Sequence, residues 1–118
     1  MTITVYGIPN CDTVRKARAW LAGHAIEHSF HDFRKDGLAG PQVDRWIAEL
    51  GWENLVNRKG TTWRKLPPAA QAGVTDVASA KQLMLGNVSV IRRPVVDWGK
   101  EVTVGFDPGD WALRLRGS

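Results

Sequence analysis

The chain has one cysteine and one tyrosine among 118 residues. A single cysteine cannot close an intramolecular disulfide, which excludes a disulfide-stapled secreted module. Nor can it alone supply a Cys-rich zinc site or a CxxC redox pair. Long apolar runs are missing too: none approaches the ~20 residues that span a bilayer. The opening residues, Met1-Thr2-Ile3-Thr4-Val5-Tyr6-Gly7, carry neither a basic stretch nor an extended apolar one. No secretory signal is therefore expected, and the expected setting is cytoplasmic and reducing. Blocks of about five or six like charges are also absent. Lys plus Arg number 16 against 12 Asp plus Glu, a net charge of +4, but the basic residues are scattered and no nucleic-acid motif is visible. A mixed, solvated surface follows, with some attraction for an anionic small molecule or an acidic partner protein. Neither nucleic acid nor membrane is expected as a partner.

What is present is enough apolar residue, 43%, for one domain with a core. Residues 2–6 are β-branched or aromatic and read as a strand; Gly7-Ile8-Pro9-Asn10 is turn chemistry. Over 12–23 the pattern becomes helical, with Val14, Ala17 and Leu21 on one face. Alternation resumes over 24–33, with Ile26, His28, Phe30 and Asp32 on one side of a second strand. Strand, helix and strand of this length predict a parallel pair joined by a crossover. Pro41 suits the first turn of a helix in which Val43, Trp46, Ile47 and Leu50 recur, and Gly51 closes it. Residues 54–66 are irregular, with a turn at Gly60-Thr61-Thr62. A short helix follows Pro67-Pro68, and another covers 76–85. Residues 88–96, interrupted at Arg92-Arg93-Pro94, and 101–106 read as strands joined by a turn at Asp97-Trp98-Gly99, hence antiparallel. A helix begins near Asp107-Pro108-Gly109-Asp110, and Gly117-Ser118 reads as a dispensable tail. The expected organisation is one α/β domain over 1–118: a β-α-β half (1–36), a helical insertion (37–86) and a β-β-α half (87–118).

Cys11 falls where the first strand turns into the first helix. Free backbone N–H groups and the helix dipole stabilise an anion there, and the thiolate is the nucleophilic form of cysteine. Arg15 and Lys16 add positive charge. The plain alternative is a small buried residue. His24, His28 and His31 lack the acidic or cysteine partners that would complete a metal set, so no metal is expected. The six tryptophans are spread over the chain, as for core packing.

Three ordered segments resemble the arsenate-reductase-like family that includes ArsC, Spx and YffB proteins. They are Tyr6-Gly7-Ile8-Pro9-Asn10-Cys11-Asp12-Thr13-Val14-Arg15-Lys16-Ala17, then Asn57-Arg58-Lys59-Gly60-Thr61-Thr62-Trp63-Arg64-Lys65-Leu66, then Ser89-Val90-Ile91-Arg92-Arg93-Pro94-Val95-Val96 followed by Val104-Gly105-Phe106. The resemblance implies a thioredoxin-like mixed sheet with a helical insertion, and a cis-Pro94 facing the thiol. It implies Cys11 as nucleophile, with Asn10, Asp12, Thr13, Arg15, Arg58, Arg92, Arg93 and Pro94 forming the substrate-binding set.

Departures from the family pattern separate its chemistries. Arsenate reductases of this type carry a His at the position of Gly7 and a Ser at that of Val14. Two of their oxyanion-binding arginines map onto Arg58 and Arg93; a third falls near Gly105. Cys11-Asp12-Thr13-Val14 lacks the second cysteine of an Spx-type switch. The pattern is most similar to the YffB-like branch, which implies a glutathione-dependent thiol reductase. No tightly bound cofactor is expected. Glutathione or another small thiol would be the co-substrate, drawn by Arg58, Arg92 and Arg93 to its carboxylates. The alternatives are an Spx-like interaction adaptor, with a protein partner, and an arsenate reductase.

Overall fold

The computed structural model describes residues 2–116. Strand β1 (Thr4–Gly7) is central. It pairs in parallel with β2 (Ser29–Asp32), Thr4 opposite Ser29, and antiparallel with β3 (Val95–Asp97), Thr4 opposite Asp97. Strand β4 (Val102–Val104) continues the sheet antiparallel to β3, giving the order β2-β1-β3-β4. A β-α-β unit followed by a β-β-α unit in this order is the thioredoxin-like arrangement.

The pleat sends successive side chains to opposite faces, and each face has its own core. Val5 and Val96 meet Ala17 and Leu21 of α1 (Asp12–Gly23) and Trp111 of α8 (Pro108–Arg116). Tyr6 and Val95 meet Val43, Trp46 and Ile47 of α3 (Gly40–Leu50), and Ala80 and Met84 of α7 (Val77–Gly86). Helices therefore cover both sides of the sheet. Each fully buried large apolar side chain contributes roughly 1.5–3 kcal/mol. Tyr6 keeps its hydroxyl satisfied by the Gln42 amide, which donates at 2.6 Å. Burial, then the nearby Asp97 charge, pushes its phenol further above the ordinary range.

The tryptophans are mostly structural. Trp111 is buried, with Trp20, Trp98 and Phe106 packed edge-on at ring-centre separations of 5.7, 5.1 and 4.8 Å, the orientation that aromatic quadrupoles favour.

Several elements depart from the periodicity. The second strand is shorter than the alternation over 24–33 predicts, because the first of those residues finish α1. His24 donates its N–H to Trp20 and Leu21 carbonyls, Ile26 donates to Leu21, and Ala25 takes φ +56. Phe33 leaves the strand because Asp32 caps α2 (Phe33–Asp36), accepting from the N–H groups of Arg34 and Lys35. The short helices α4 (Trp52–Leu55) and α5 (Thr61–Arg64) lie where no helix was predicted; α6 (Pro68–Ala72) lies where one was. The stretch predicted as a strand over 88–96 holds a 3-10 turn at Val88–Val90, one antiparallel bridge between Ile91 and Val56, and irregular residues 92–94 before β3. Proline has no N–H for a ladder, so β3 starts only after Pro94. The tail proposed at Gly117-Ser118 lies outside the described residues. No helix among the described residues is long and apolar enough to cross a membrane.

Candidate functional site

Strand β1 ends at Gly7, and the Ile8-Pro9-Asn10 turn delivers Cys11 to the N-cap of α1 with extended backbone, φ −93° and ψ 125°. Its N–H donates to the Ile8 carbonyl at 3.3 Å, and its carbonyl accepts from Arg15 at 3.0 Å. The Cys11 side chain makes no capping hydrogen bond. It is half-buried against the larger core cluster. The N–H groups of the first helical turn have no carbonyl one turn back, and Sγ stands at that end of the helix.

Neighbouring side chains divide into two roles. Arg15 braces the turn: it donates to the Asn10 carbonyl at 3.1 Å and pairs with Asp12 at 3.3 Å. Asn10 and Thr13 have exposed side chains that make no hydrogen bond with the described residues. Val14 is fully buried and fills the space beside Gly7: a Cβ built on Gly7 would stand 2.7 Å from Val14 Cγ2. This contact accounts for a glycine at position 7.

Two backbone junctions bring the distant segments in. Tyr6 lies opposite Val95 in the β1–β3 ladder, so Pro94, at the head of β3, stands beside the end of β1 that leads to Cys11. The Arg93–Pro94 peptide bond is cis, as the resemblance implies, and Pro94 is buried. Its carbonyl accepts from Gly105 N–H at 2.8 Å. The second junction is the Val56–Ile91 bridge. Arg92 N–H donates to Leu55 at 2.7 Å, and Asn57 N–H donates to Val90 at 2.9 Å. The bridge joins the loop carrying Arg58 to the segment carrying Arg92 and Arg93.

The arginines are held differently. Arg93 turns Nη1 onto the carbonyls of Ser89 (2.8 Å) and Ile91 (3.4 Å). Its Nε is buried and has no hydrogen-bond partner among the described residues. Arg92 is exposed and anchored through its backbone. Arg58 is exposed, with its guanidinium carbon over the rings of Trp52 at 5.6 Å and Trp63 at 5.7 Å. These ring contacts went unread in the sequence, although Trp52 and Trp63 flank Arg58 within one short segment.

The histidines serve the backbone. His24 Nδ1 donates to Trp20, His28 Nδ1 to Ile26 and His31 Nε2 to Gly37 carbonyls. Among the described residues no group of three or more His, Cys, Asp or Glu side chains could hold a metal ion.

Residues 6–113 match the ArsC family. An uncharacterized protein of Haemophilus influenzae is 40% identical over 109 residues, covering 92% of this chain and 95% of that one. The global transcriptional regulator Spx of Streptococcus agalactiae is 28% identical over 107 residues, 89% of this chain and 77% of that protein. Among solved structures, a YffB protein superposes with a TM-score of 0.90 at 44% identity, covering 94% of this chain and 96% of that one. An arsenate reductase (ArsC) related protein from Brucella melitensis superposes with a TM-score of 0.76 at 44% identity, covering 98% and 95%. Both the ordered motifs and the whole-chain similarity lead to one conclusion: this chain belongs to the ArsC family.

Proposed function

We propose that the protein is a glutathione-dependent monothiol reductase with Cys11 as its nucleophile. The observation that carries this reading is the placement of the single thiol at the N-cap of α1, uncommitted to any capping bond, beside the Pro94 end of β3. In the first step the Cys11 thiolate attacks the glutathionyl sulfur of a mixed disulfide R–S–S–G. The Cys11–glutathione disulfide forms, the S–S bond of the mixed disulfide breaks, and R–S leaves as a thiolate that takes a proton from water. A second glutathione thiolate then attacks the glutathionyl sulfur of that adduct. Oxidised glutathione leaves and the Cys11 thiolate returns. Net, one mixed disulfide and one glutathione give one thiol and one oxidised glutathione. Arg58, Arg92 and Arg93 supply charge-assisted hydrogen bonds to the carboxylates of glutathione. Asn10, Asp12, Thr13 and Arg15 shape the turn that presents the sulfur, and Pro94 forms the facing wall.

Mass spectrometry after incubation with oxidised glutathione tests the first half: one adduct at Cys11, removed by reduced glutathione. A glutathione-coupled assay tests the second: turnover disappears in Cys11→Ser. Absence of any adduct, or turnover that survives the substitution, overturns the reading. The adaptor alternative draws on similarity to Spx, and it wins if wild type and Cys11→Ser bind the same protein partner equally and neither turns over. Arsenate reduction is opposed by the Val14 contact, which leaves no room for a side chain at position 7.

A further inference from the structure

We propose that Trp52 and Trp63 position Arg58 as the fork that receives a carboxylate of the thiol substrate, an inference that rests on the thiol-reductase reading above. Arg58 is exposed, yet its guanidinium lies over two indole rings, at 5.6 and 5.7 Å, inside the range at which a cation is held by a π face. The guanidinium makes no hydrogen bond or ion pair with the described residues. Arg45, Arg114 and Arg15 are instead committed: Arg45 holds Asp97 and Glu49, Arg114 holds Glu101 and Asp110, and Arg15 holds the turn around Cys11. Arg18 also rests on a ring, but on the single ring of Phe30.

Ring contact changes what such a side chain can do. A free surface arginine loses rotamer freedom when it binds, which weakens binding. An arginine resting on aromatic faces has part of that freedom removed in advance. The planar guanidinium keeps its N–H edge free to meet a carboxylate bidentately. The cradle is itself fixed. Trp52 opens α4, Trp63 lies in α5, and both are partly buried against the main core cluster. The Gln71 amide donates to the Trp63 carbonyl at 2.8 Å. The loop between the rings is tied to Val90 through Asn57 N–H. It also turns tightly at Gly60, where a Cβ would come within 2.9 Å of Asn57 Nδ2. Trp52 and Trp63 are thus positioning residues acting through Arg58.

The test is calorimetric binding of S-methylglutathione, a thioether that cannot exchange, to the full chain. Arg58→Gln weakens binding roughly ten-fold, the scale of one lost charge-assisted bond. Trp52→Leu and Trp63→Leu each weaken it about two- to five-fold, the scale of one exposed cation–π contact. Trp63→Phe, which keeps a π face and the core packing, restores most of the affinity. In an Arg58→Gln background Trp63→Leu has no further effect. The proposal is overturned if S-methylglutathione does not bind, if Arg58→Gln binds like wild type, if Trp63→Phe fails to rescue, or if the tryptophan effect persists without Arg58. Turnover with none of these dependences refutes the cradle and leaves the reductase standing. Arg58- and tryptophan-dependent binding without turnover does the reverse.

Discussion

Gly7→Ala asks whether the joint between β1 and α1 is as tight as its geometry says. The added methyl would stand 2.7 Å from Val14 Cγ2, with Val14 Cγ1 at 3.4 Å and Cβ at 3.6 Å. Carbon atoms in contact prefer about 3.5–4.0 Å, so about 1 Å must be recovered. Rotating Val14 does not help: a β-branched side chain in a helix has one strongly favoured rotamer, and its other methyl is already close. Val14 is fully buried, so it cannot swing into solvent. The first turn of α1, and Cys11 with it, has to move away from the sheet. Overpacking of this kind costs about 1–3 kcal/mol, a large share of a stability of about 5–15 kcal/mol. Val14→Ala alone leaves a void and also destabilises. The double variant Gly7→Ala with Val14→Ala exchanges clash for cavity and is more stable than the sum of the single effects predicts, a coupling of about 1 kcal/mol or more. Urea unfolding followed by tryptophan fluorescence measures all four corners of the cycle. Strict additivity, or a Gly7→Ala protein as stable as wild type, refutes the argument.

Other expectations follow from single contacts. Trp111→Ala removes the hub around which Trp20, Trp98 and Phe106 pack; it costs about 3–5 kcal/mol, and a loss below about 1 kcal/mol in urea unfolding contradicts the hub. Glu49 accepts the backbone N–H of Val102 at 2.9 Å. Glu49→Ala therefore costs about 1–2 kcal/mol, while Glu49→Gln, which keeps an acceptor, costs less; equal losses rule out the hydrogen bond as the cause. Asp76 and Ser79 form a capping box on α7, and the Ser79 backbone and hydroxyl donors hold the Asp76 carboxyl below its ordinary range. The unfolded chain then binds more protons than the folded one in that window, so this contribution is present above the ordinary carboxyl pKa and is lost as pH falls through the lowered folded value. The unfolding-midpoint deficit of Asp76→Ala is accordingly largest at neutral pH and shrinks in acid; a constant deficit contradicts the assignment.

The sheet and the long helices were legible because their patterns are local. Val14, Ala17 and Leu21 mark the buried face of α1, and Val43, Trp46 and Ile47 mark that of α3. α4 and α5 were not legible, since a helix of one turn displays no period to read. The extent of β2 failed for a different reason. Alternation survives in the side chains over 24–33, but hydrogen bonds from His24 and Ile26 back to α1 claim the backbone first. At the candidate site, Cys11 and Arg93-Pro94 stood out through motif chemistry. Gly7 was noted as a departure from the family pattern, but its reason, the Val14 methyl, is a contact between a strand and a helix that no local pattern displays. The same holds for Arg58. Its contacts with Trp52 and Trp63 lie within one short segment, but that segment is irregular, and no period shows which side chains its turns bring together.

A site with one sulfur and several cations obeys a different logic from a site with two sulfurs. Where a resolving cysteine is present, the second step is intramolecular and benefits from a high effective concentration. Here it is an encounter with a dissolved thiol, so under the proposed function its rate depends on capture. Capture of an anionic thiol is what the surrounding residues are suited to provide. Arg93 is anchored through one nitrogen, Nη1; Arg58 is cradled on two rings and makes no hydrogen bond with the described residues. These two cations come from different parts of the chain, the helical insertion and the segment leading into β3. The backbone bonds from Arg92 to Leu55 and from Asn57 to Val90 hold those parts together. Under the proposed function the insertion is thereby more than a cover for the sheet: it contributes a carboxylate-binding group that the β-α-β half, which carries the sulfur, does not supply. On that proposal the missing second cysteine and the arranged arginines are two sides of one chemical solution, in which binding the second thiol replaces encoding it.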